Sequence, residues 1–331
     1  MRAIVVKAFG GPETLELVEA QAPIPARGQV LIAVEAAGVG LGDVLLRRGV
    51  RPDLAPGFTP GLEMAGTVVA VGEDVNDAWL NSRIFAIVDE GTKSGCYAEL
   101  VVANVDRVTP LPPTISSHQA VSLGVNALVA EFVTRRGQVK TGEHLLVRGA
   151  SGGIGVMAVQ VAARRGAIVT ASTSSPEHAE HLVRLGASYV VDRAGVPFGD
   201  GAVPEEFDVI LDPVAGPDML IFCAKLRNNG RVVLAGIAGG LPPAELASAI
   251  VDSRSLTFSL LSLDAVSNAD RQSALREIFA SASRGELKPV THEVLDLKRA
   301  SDAHANLESG KTFGKIVLEV ATGNKKGKEK A

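Results

Sequence analysis

The chain has 331 residues, of which 46% are hydrophobic and 21% charged, a balance typical of a folded globular protein with about two domains. Its formal net charge is −4, and aromatic residues make up only 4% of the sequence. An acidic chain is unsuited to binding the phosphate backbone of a nucleic acid, and one that is poor in aromatic residues is unsuited to stacking on its bases. No nucleic-acid partner is therefore expected.

Cysteine content and hydropathy predict a cytoplasmic protein. The two cysteines, Cys96 and Cys223, are too few for a disulfide framework and are expected to be buried, unreactive thiols. No apolar run approaches the roughly 18 residues that span a bilayer, and Lys7 interrupts the first apolar run too early for a signal peptide. No membrane partner is therefore expected. Four Lys and one Glu in residues 323–331 predict a flexible basic tail.

From residue 1 to about 118, short β-branched runs alternate with Gly and Pro, which predicts strands separated by turns. The predicted strands are Ala3–Val6, Gln29–Val34, Gly66–Val71 and Arg83–Val88. The run Pro110–Pro113 then marks the end of this β-rich segment.

From about 119 to 285, apolar strands alternate with helical segments. The predicted strands are Leu145–Arg148, Ile168–Ala171, Tyr189–Asp192, Asp208–Leu211, Arg231–Ala235 and Thr257–Leu261. The predicted helices are Gly153–Arg165, Pro176–Leu185 and Asp270–Arg284. Near-continuous apolar strands between helices are typical of a parallel sheet that is covered on both faces. This segment therefore predicts a doubly wound α/β domain.

Beyond residue 286, a helix over Ala300–Glu308 and a strand over Lys315–Val320 are predicted. Because the parallel sheet is complete by then, the extra strand needs a partner, which the β-rich first segment can supply. The expected organisation is a split domain, residues 1–118 with 286–331, interrupted by an α/β domain over residues 119–285.

The strongest local signal is the glycine-rich segment Gly149–Ala158, which lies between a predicted strand and a predicted helix. Its second half, Gly153–Ala158, matches the G-x-G-x-x-A fingerprint of dinucleotide sites. Glycines allow the backbone to approach a pyrophosphate, and the helix N-terminus attracts it through free N–H groups. The alternative is a purely structural glycine turn. The predicted cofactor-binding residues of this turn are Ser151, Gly152, Gly153, Ile154 and Gly155.

The end of the second parallel strand favours NADPH over NADH. An NAD site places Asp or Glu there to hold the ribose 2′-hydroxyl, whereas this chain has Ser172, Thr173 and Ser174. Hydroxyl groups can donate hydrogen bonds to a 2′-phosphate that a carboxylate would repel. His178 and Arg193 are candidate cationic partners of this phosphate, and Arg193 is the better one because imidazole is largely neutral at pH 7. The alternative is that these are exposed helix-cap and loop residues.

These features together resemble the medium-chain dehydrogenase/reductases, specifically the zinc-free, zeta-crystallin-like quinone oxidoreductases. The shared landmarks occur in the family's order between Arg2 and about Val320: Ala37–Val39, Asp43, Arg47–Gly49, Pro60–Gly66, Gly95–Glu99, Gly149–Gly155, Leu185–Ala187, Phe207–Asp212 and Gly314–Leu318. The resemblance implies a GroES-like, β-rich catalytic domain that is split by a Rossmann domain, and a homodimer.

The resemblance also implies where the nicotinamide ring binds. It places the ring at the cleft between the domains, and the implied contacts are Asn126, Gly236, Ile237, Phe258 and Ser259. Relatives commonly carry threonine where this chain has Asn126. Asn126 therefore either takes over a hydrogen bond at this site or caps the helix that follows it.

The same resemblance argues against a metal. Zinc-dependent relatives place cysteine at the position of Gly40, histidine at Leu62 and a further cysteine near Leu123, and none of these three residues can ligate zinc. The six histidines are scattered and form no H-E-x-x-H motif. We therefore expect hydride transfer that depends on positioning and needs no metal.

Gly40, Asp43 and Arg51 are the substrate-pocket candidates that the resemblance implies, together with Asn126. Relatives often have asparagine at Gly40 and an aromatic residue near Arg51, so a stacking surface for a flat quinone is missing here. Arg51 either suits a polar or anionic acceptor or is an exposed loop residue. Asp43 either transfers a proton or makes a structural hydrogen bond. Tyr97 is expected to pack rather than to donate a proton.

Two classes of function remain open. The first is an NADPH-dependent oxidoreductase that reduces a quinone, an α,β-unsaturated carbonyl or a similar small electrophilic acceptor. The second is a protein that binds NADPH without turnover and acts as a sensor or structural component. The glycine turn also resembles that of short-chain dehydrogenases, but these need a Tyr-x-x-x-Lys pair, and here Val101 and Arg193 follow Tyr97 and Tyr189 at that spacing. The short-chain class is excluded.

Overall fold

The chain divides into two compact units in the computed structural model, which describes residues 1–88, 94–199, 202–245 and 255–320. Unit 1 consists of Met1–Val125 and the segment that begins at Asn268, and unit 2 consists of Asn126–Ser267. The predicted basic tail, residues 323–331, lies outside the described residues. Within these ranges, no helix combines the length and the apolar character needed to cross a bilayer.

The helices and strands follow one another in three groups. The first group is β1 (Arg2–Val6), β2 (Leu15–Glu19), β3 (Gln29–Val39), α1 (Leu41–Arg47), β4 (Glu63–Val71), β5 (Arg83–Ile87), β6 (Leu100–Asn104) and β7 (Val108–Pro110). The second is α2 (Ser117–Arg136), β8 (His144–Val147), α3 (Gly153–Arg164), β9 (Ile168–Ser172), α4 (Ala179–Arg184), β10 (Tyr189–Val191), β11 (Phe207–Asp212), α5 (Met219–Cys223), β12 (Leu226–Leu234) and β13 (Thr257–Leu260). The third is α6 (Asn268–Ser283), β14 (Thr291–Asp296), α7 (Ala300–Glu308) and β15 (Lys315–Glu319).

Unit 1 is built on a mainly antiparallel sheet. Among the described strands, the order is β14-β15-β3-β4-β5-β7, with β6 also paired to β3, and β1 and β2 form a separate two-stranded sheet. The central strand β3 buries Val30, Ile32 and Val34 at alternate positions, as expected of a strand with one face on the core. The predicted β-rich first segment is confirmed.

The last strand returns to the first segment, as the sequence predicts. β15 pairs antiparallel with β3, with Ile316 opposite Val39 and Glu319 opposite Ala36. Its other neighbour, β14, runs parallel to it. β14 was not predicted because most of its residues are polar or exposed and show no apolar run.

Unit 2 is a parallel α/β sheet. Its described strands are ordered β10-β9-β8-β11-β12-β13, and every neighbouring pair is parallel. Counted from β8, this order is 3-2-1-4-5-6, the doubly wound Rossmann arrangement. The strand order reverses between β8 and β11, and ligands of such sheets bind beyond the carboxyl ends of the strands at this switch point.

The boundaries between the units differ from the predicted ones. The predicted boundaries were 118/119 and 285/286, whereas the compact units meet at 125/126 and 267/268. Helix α6 belongs to unit 1 because Phe279 packs edge-on against Phe85, with ring centroids 5.4 Å apart, and Gln272 accepts a hydrogen bond from Thr109 at 2.6 Å. In sequence, α6 looks like one more helix of the α/β alternation.

Candidate functional site

The glycine turn after β8 forms a helix start with free N–H groups. Gly152 is the N-cap of α3, and the first intrahelical bond runs from the N–H of Val156 to the carbonyl of Gly152 at 2.9 Å. The N–H groups of residues 153–155 therefore have no intrahelical acceptor. Gly149 has φ of 57°, in the left-handed region that favours glycine. This arrangement suits an anion at the start of a buried helix.

The turn has no room for side chains at the fingerprint glycines. A Cβ atom on Gly155 would lie 2.2 Å from the carbonyl oxygen of Gly149. A Cβ atom on Gly153 would lie 2.5 Å from Nδ2 of Asn126. The backbone is thus exposed where a pyrophosphate would bind, and these residues fit a dinucleotide.

The structure brings three of the predicted 2′-phosphate and turn residues together. The hydroxyl groups of Ser151 and Thr173 lie 2.5 Å apart, and Nδ1 of His178 lies 2.9 Å from Oγ of Ser151. Ser172 is buried, and its hydroxyl donates to the carbonyl of Asp192 at 3.2 Å. Ser174 and Arg193 are exposed, without a contact to this trio among the hydrogen bonds described.

Of the remaining cofactor candidates, Asn126 lies in α2, Gly236 and Ile237 follow β12, and Phe258 and Ser259 lie on β13. A Cβ atom on Gly236 would lie 2.4 Å from the carbonyl oxygen of Pro213, so only glycine allows this approach. Ile237 and Phe258 are exposed. The hydroxyl of Ser259 donates to the carbonyl of Val232 on the neighbouring strand at 3.3 Å.

Sequence reasoning missed a buried ion pair directly beneath the glycine turn. Arg148 follows β8 and donates a 2.6 Å hydrogen bond to the carboxylate of Asp212 at the end of β11. The sequence does show that a charged residue, Arg148, follows the apolar run Leu145–Val147 just before the glycine turn. Spacing along the chain gave no indication that Asp212 is its partner.

In unit 1, Asp43 serves as a structural acceptor. Its buried carboxylate accepts hydrogen bonds from the N–H of Gly40 at 2.8 Å, the N–H of Gly61 at 3.1 Å and the hydroxyl of Tyr97 at 3.3 Å. Gly40 is the N-cap of α1, so Asp43 also stabilises the first turn of that helix. Of the two predicted roles, the geometry supports the structural hydrogen bond.

Tyr97 packs in the core, as predicted. It is fully buried, and its hydroxyl lies 3.2 Å from Nε2 of His304, whose ring stands at 87° to the tyrosine ring. Burial, followed by the negative charge of Asp43, raises the pKa of Tyr97 well above its usual value. Burial, followed by the positive charge of Arg47, lowers the pKa of His304 to about 3. Neither side chain is placed to exchange protons with a ligand near neutral pH.

The neutral His304 makes stability depend on pH. Its folded-state pKa of about 3 lies below the ~6.5 of an unfolded chain, so the unfolded state takes up the proton first as the pH falls. Its contribution to the free energy of unfolding is complete above pH ~6.5 and is lost from there down to about pH 3, at about 1.4 kcal/mol per pH unit. We expect chemical denaturation to show a steeper loss between pH 6.5 and 5 for the natural protein than for His304→Gln. Parallel pH profiles would contradict this.

Arg51 is paired with a carboxylate. Its guanidinium donates to Asp53 at 3.1 Å from Nε, with a second hydrogen bond of 2.5 Å from Nη2. The hydrogen bond from Arg51 lowers the pKa of the exposed Asp53 carboxyl below its usual value. The negative charge of Asp53 therefore largely offsets the positive charge of Arg51, which would otherwise suit an anionic acceptor.

Unit 1 also buries a lysine–glutamate pair that the sequence did not indicate. Lys315 on β15 contacts one carboxylate oxygen of Glu63 on β4, and both side chains are almost fully buried. The other oxygen of Glu63 accepts from the N–H of Val125 at 2.8 Å. Within the described ranges, no group of three or more His, Cys, Asp or Glu side chains converges as metal ligands would. Neither Cys96 nor Cys223 is part of a disulfide, and both are buried, as predicted.

Two protein-family descriptions match the chain. An alcohol dehydrogenase GroES-like domain matches residues 26–113, and a zinc-binding dehydrogenase domain matches residues 185–318. The GroES-like match agrees with the β-rich character of unit 1. The second description mentions zinc. In this chain, Gly40, Leu62 and Leu123 carry no side chain that can ligate zinc, and they lie outside the residues that this description matches.

Characterised relatives and solved structures resemble the chain over nearly its whole length. The quinone oxidoreductase of Mus musculus is 32% identical and covers 96% of this chain and 97% of its own. The quinone oxidoreductase of Coxiella burnetii has a TM-score of 0.83 at 26% identity, over 97% of this chain and 99% of that one. A mycobacterial protein solved in complex with NADPH has a TM-score of 0.87 at 27% identity, over 96% of this chain and 100% of that one.

Proposed function

The chain belongs to the zinc-free quinone oxidoreductase family of the medium-chain dehydrogenase/reductases, and we propose that it transfers a hydride from NADPH to a small electrophilic acceptor. It is an oxidoreductase with a GroES-like domain and a Rossmann domain, and it uses a pyridine nucleotide. The observation that carries the proposal is the glycine turn, which has no room for a Cβ atom at Gly153 and Gly155, at the switch point of a 3-2-1-4-5-6 sheet.

Residues of unit 2 account for the proposed binding of NADPH, which supplies the hydride. The N–H groups of residues 153–155 would hold the pyrophosphate, aided by the dipole of α3. Ser151, which contacts both Thr173 and His178, would hold the 2′-phosphate together with these two residues, Ser174 and Arg193. The NADPH complex of the mycobacterial relative supports this choice of cofactor.

The preference for NADPH is tested at the exposed Ser174. We expect Ser174→Asp to lower the ratio of NADPH to NADH efficiency at least about tenfold, because the new carboxylate repels the 2′-phosphate and accepts from a 2′-hydroxyl. Steady-state kinetics with both cofactors measure this ratio. Ser174→Asn, of similar size and without charge, is the matched control. An unchanged ratio in Ser174→Asp would contradict the assignment.

The acceptor is proposed to be uncharged. The pairing of Arg51 with Asp53 offsets the one cation among the pocket candidates, which supports a quinone or enone rather than an anion. Gly40 leaves space beside α1, because a Cβ atom there would lie 3.5 Å from the nearest atom, Oδ2 of Asp43. Asn126, Gly236, Ile237, Phe258 and Ser259 are proposed to align the nicotinamide with that acceptor.

The decisive experiment measures NADPH oxidation with a panel of uncharged quinones and enones after exhaustive chelation. We expect acceptor-dependent oxidation that zinc does not increase. Activity that disappears on chelation and returns with zinc would overturn the metal-free mechanism. Tight NADPH binding without turnover on any acceptor would contradict the enzymatic function and favour a protein that binds NADPH as a sensor or structural component.

We further propose a homodimer formed along β13. Among the described strands, β13 is the last in the order of the parallel sheet, and it exposes Leu260. An exposed apolar edge strand is a ready template for pairing with a second copy of the chain. Sedimentation should show a dimer for the natural protein and a monomer for Leu260→Lys. A monomeric natural protein would refute this arrangement.

A further inference from the structure

We propose that Arg148 is a positioning residue for the cofactor, because it holds the loop 213–216 that shapes both the glycine turn and the segment at Gly236. This proposal rests on the proposed function, since it concerns the same nucleotide site. Arg148 itself is buried and is not proposed to touch the cofactor. Three successive sets of contacts within unit 2 connect Arg148 to the nucleotide site.

The first step is the ion pair at the switch point. Nη1 of Arg148 donates to Oδ2 of Asp212 at 2.6 Å and to the carbonyl of Ala215 at 3.1 Å. The guanidinium also lies over the ring of Phe222, 4.9 Å from its centroid. Arg148 directly follows β8 and Asp212 ends β11, so the pair joins the two strands between which the sheet order reverses.

The second step is the conformation of the loop. Oδ1 of Asp212 accepts from the N–H of Val214 at 2.8 Å and from the N–H of Ala215 at 2.9 Å. Ala215 has φ of 53°, a left-handed conformation that residues with a Cβ atom adopt only when their surroundings impose it. The ion pair imposes it here, because Asp212 binds the N–H of Ala215 and Arg148 binds its carbonyl.

The third step joins the loop to both parts of the nucleotide site. On one side, a Cβ atom on Gly149 would lie 2.6 Å from Cγ2 of Val214. On the other side, Gly236 closely approaches the carbonyl of Pro213, and the N–H of Gly239 donates to the carbonyl of Val214 at 2.7 Å. A shift of the loop therefore displaces the pyrophosphate turn and the segment proposed to face the nicotinamide together.

The requirement is for arginine rather than for any cation. One nitrogen of a planar guanidinium reaches both Asp212 and Ala215 while its face stacks on Phe222. A lysine ammonium has enough N–H groups for both acceptors, but its side chain is shorter and has no planar face to stack on Phe222. We therefore expect Arg148→Lys to retain part of the function and Arg148→Met to lose it.

The test compares the binding of NADPH with that of 2′-AMP, which has the 2′-phosphate but neither the 5′-phosphate nor the nicotinamide. In Arg148→Met, the Kd for NADPH should rise at least about tenfold, because both contacts of the loop are displaced. The Kd for 2′-AMP should stay within about twofold, because its only phosphate is proposed to bind at the end of β9. Adding Ala215→Gly should recover most of the lost NADPH affinity, because glycine adopts the left-handed conformation without the ion pair.

The matched control is Arg231→Met. Arg231 makes two 2.7 Å hydrogen bonds to Glu143, which precedes the same strand β8 at its opposite end. This variant removes a similar arginine–carboxylate pair far from the turn, and the Kd for NADPH should remain within about twofold. Arg148→Lys serves as the milder variant if Arg148→Met does not fold.

The other outcomes are equally informative. Equal loss of NADPH and 2′-AMP binding, or loss of NADPH binding that Ala215→Gly does not relieve, would overturn the positioning role. Unchanged NADPH affinity in Arg148→Met would overturn it and leave the proposed function intact. A natural protein that binds neither nucleotide would overturn both.

Discussion

A Gly153→Val variant is expected to bind NADPH at least about a hundredfold more weakly than the natural protein, a loss of about 2.8 kcal/mol. The Cβ atom alone would lie 2.5 Å from Nδ2 and 2.9 Å from Cγ of Asn126. The two γ-methyl groups would fill the space above the helix start, where the free N–H groups of residues 153–155 are proposed to meet the pyrophosphate. Isothermal titration calorimetry with NADPH measures the loss.

The neighbouring residue provides the control for this experiment. Ile154→Val keeps a β-branched side chain and the same N–H group, so its affinity should stay within about twofold. Thermal unfolding of each variant verifies that the fold is retained. Natural affinity in a folded Gly153→Val protein would exclude the turn as the pyrophosphate site, and with it the basis of the proposed function.

A Lys315→Met variant is expected to lose about 3–5 kcal/mol of stability, because it leaves the buried carboxylate of Glu63 without a counter-charge. The pair is enclosed closely. A Cβ atom on Gly38 would lie 2.6 Å from Oε1 of Glu63, and one on Gly124 would lie 2.3 Å from Oε2. Little water can therefore replace the missing ammonium group. Denaturant unfolding at neutral pH measures the effect.

Two further variants separate charge from packing at this site. Lys315→Met with Glu63→Gln should recover most of the loss, because no ion then remains buried. Lys7→Met is the control, since Lys7 pairs with Glu16 at 3.8 Å on the surface, and exposed pairs contribute only ~0–1 kcal/mol. A Lys315→Met protein as stable as Lys7→Met would show that the buried pair does not stabilise the fold.

The buried pair also lies where helix α2 changes direction. Gly124 has backbone angles outside the helical range, with φ of 0° and ψ of −113°, and the next residue, Val125, donates its N–H to Glu63. The division between the two units falls directly after it, at 125/126. The sequence placed this division near residue 118 because Pro110–Pro113 is a local signal, whereas the bond to Glu63 is not.

Local patterns were sufficient for much of the fold and for the conformation of the glycine turn. The G-x-G-x-x-A segment depends on the conformational freedom of glycine and on its place between a strand and a helix, and both can be read within about 20 residues. Apolar strands in alternation with helices predict a parallel sheet because such strands must be covered on both faces. The return of β15 followed from the need of a lone strand for a partner.

Other features depend on contacts between residues far apart in the chain. Arg148 meets Asp212, Lys315 meets Glu63, and Tyr97 lies between Asp43 and His304, and in none of these does spacing along the chain identify the partner. A buried charge requires compensation, but any opposite charge that the folding chain brings close can provide it. Only folding in three dimensions selects these partners, which is why the positioning of the turn could not be foreseen from the residues that form it.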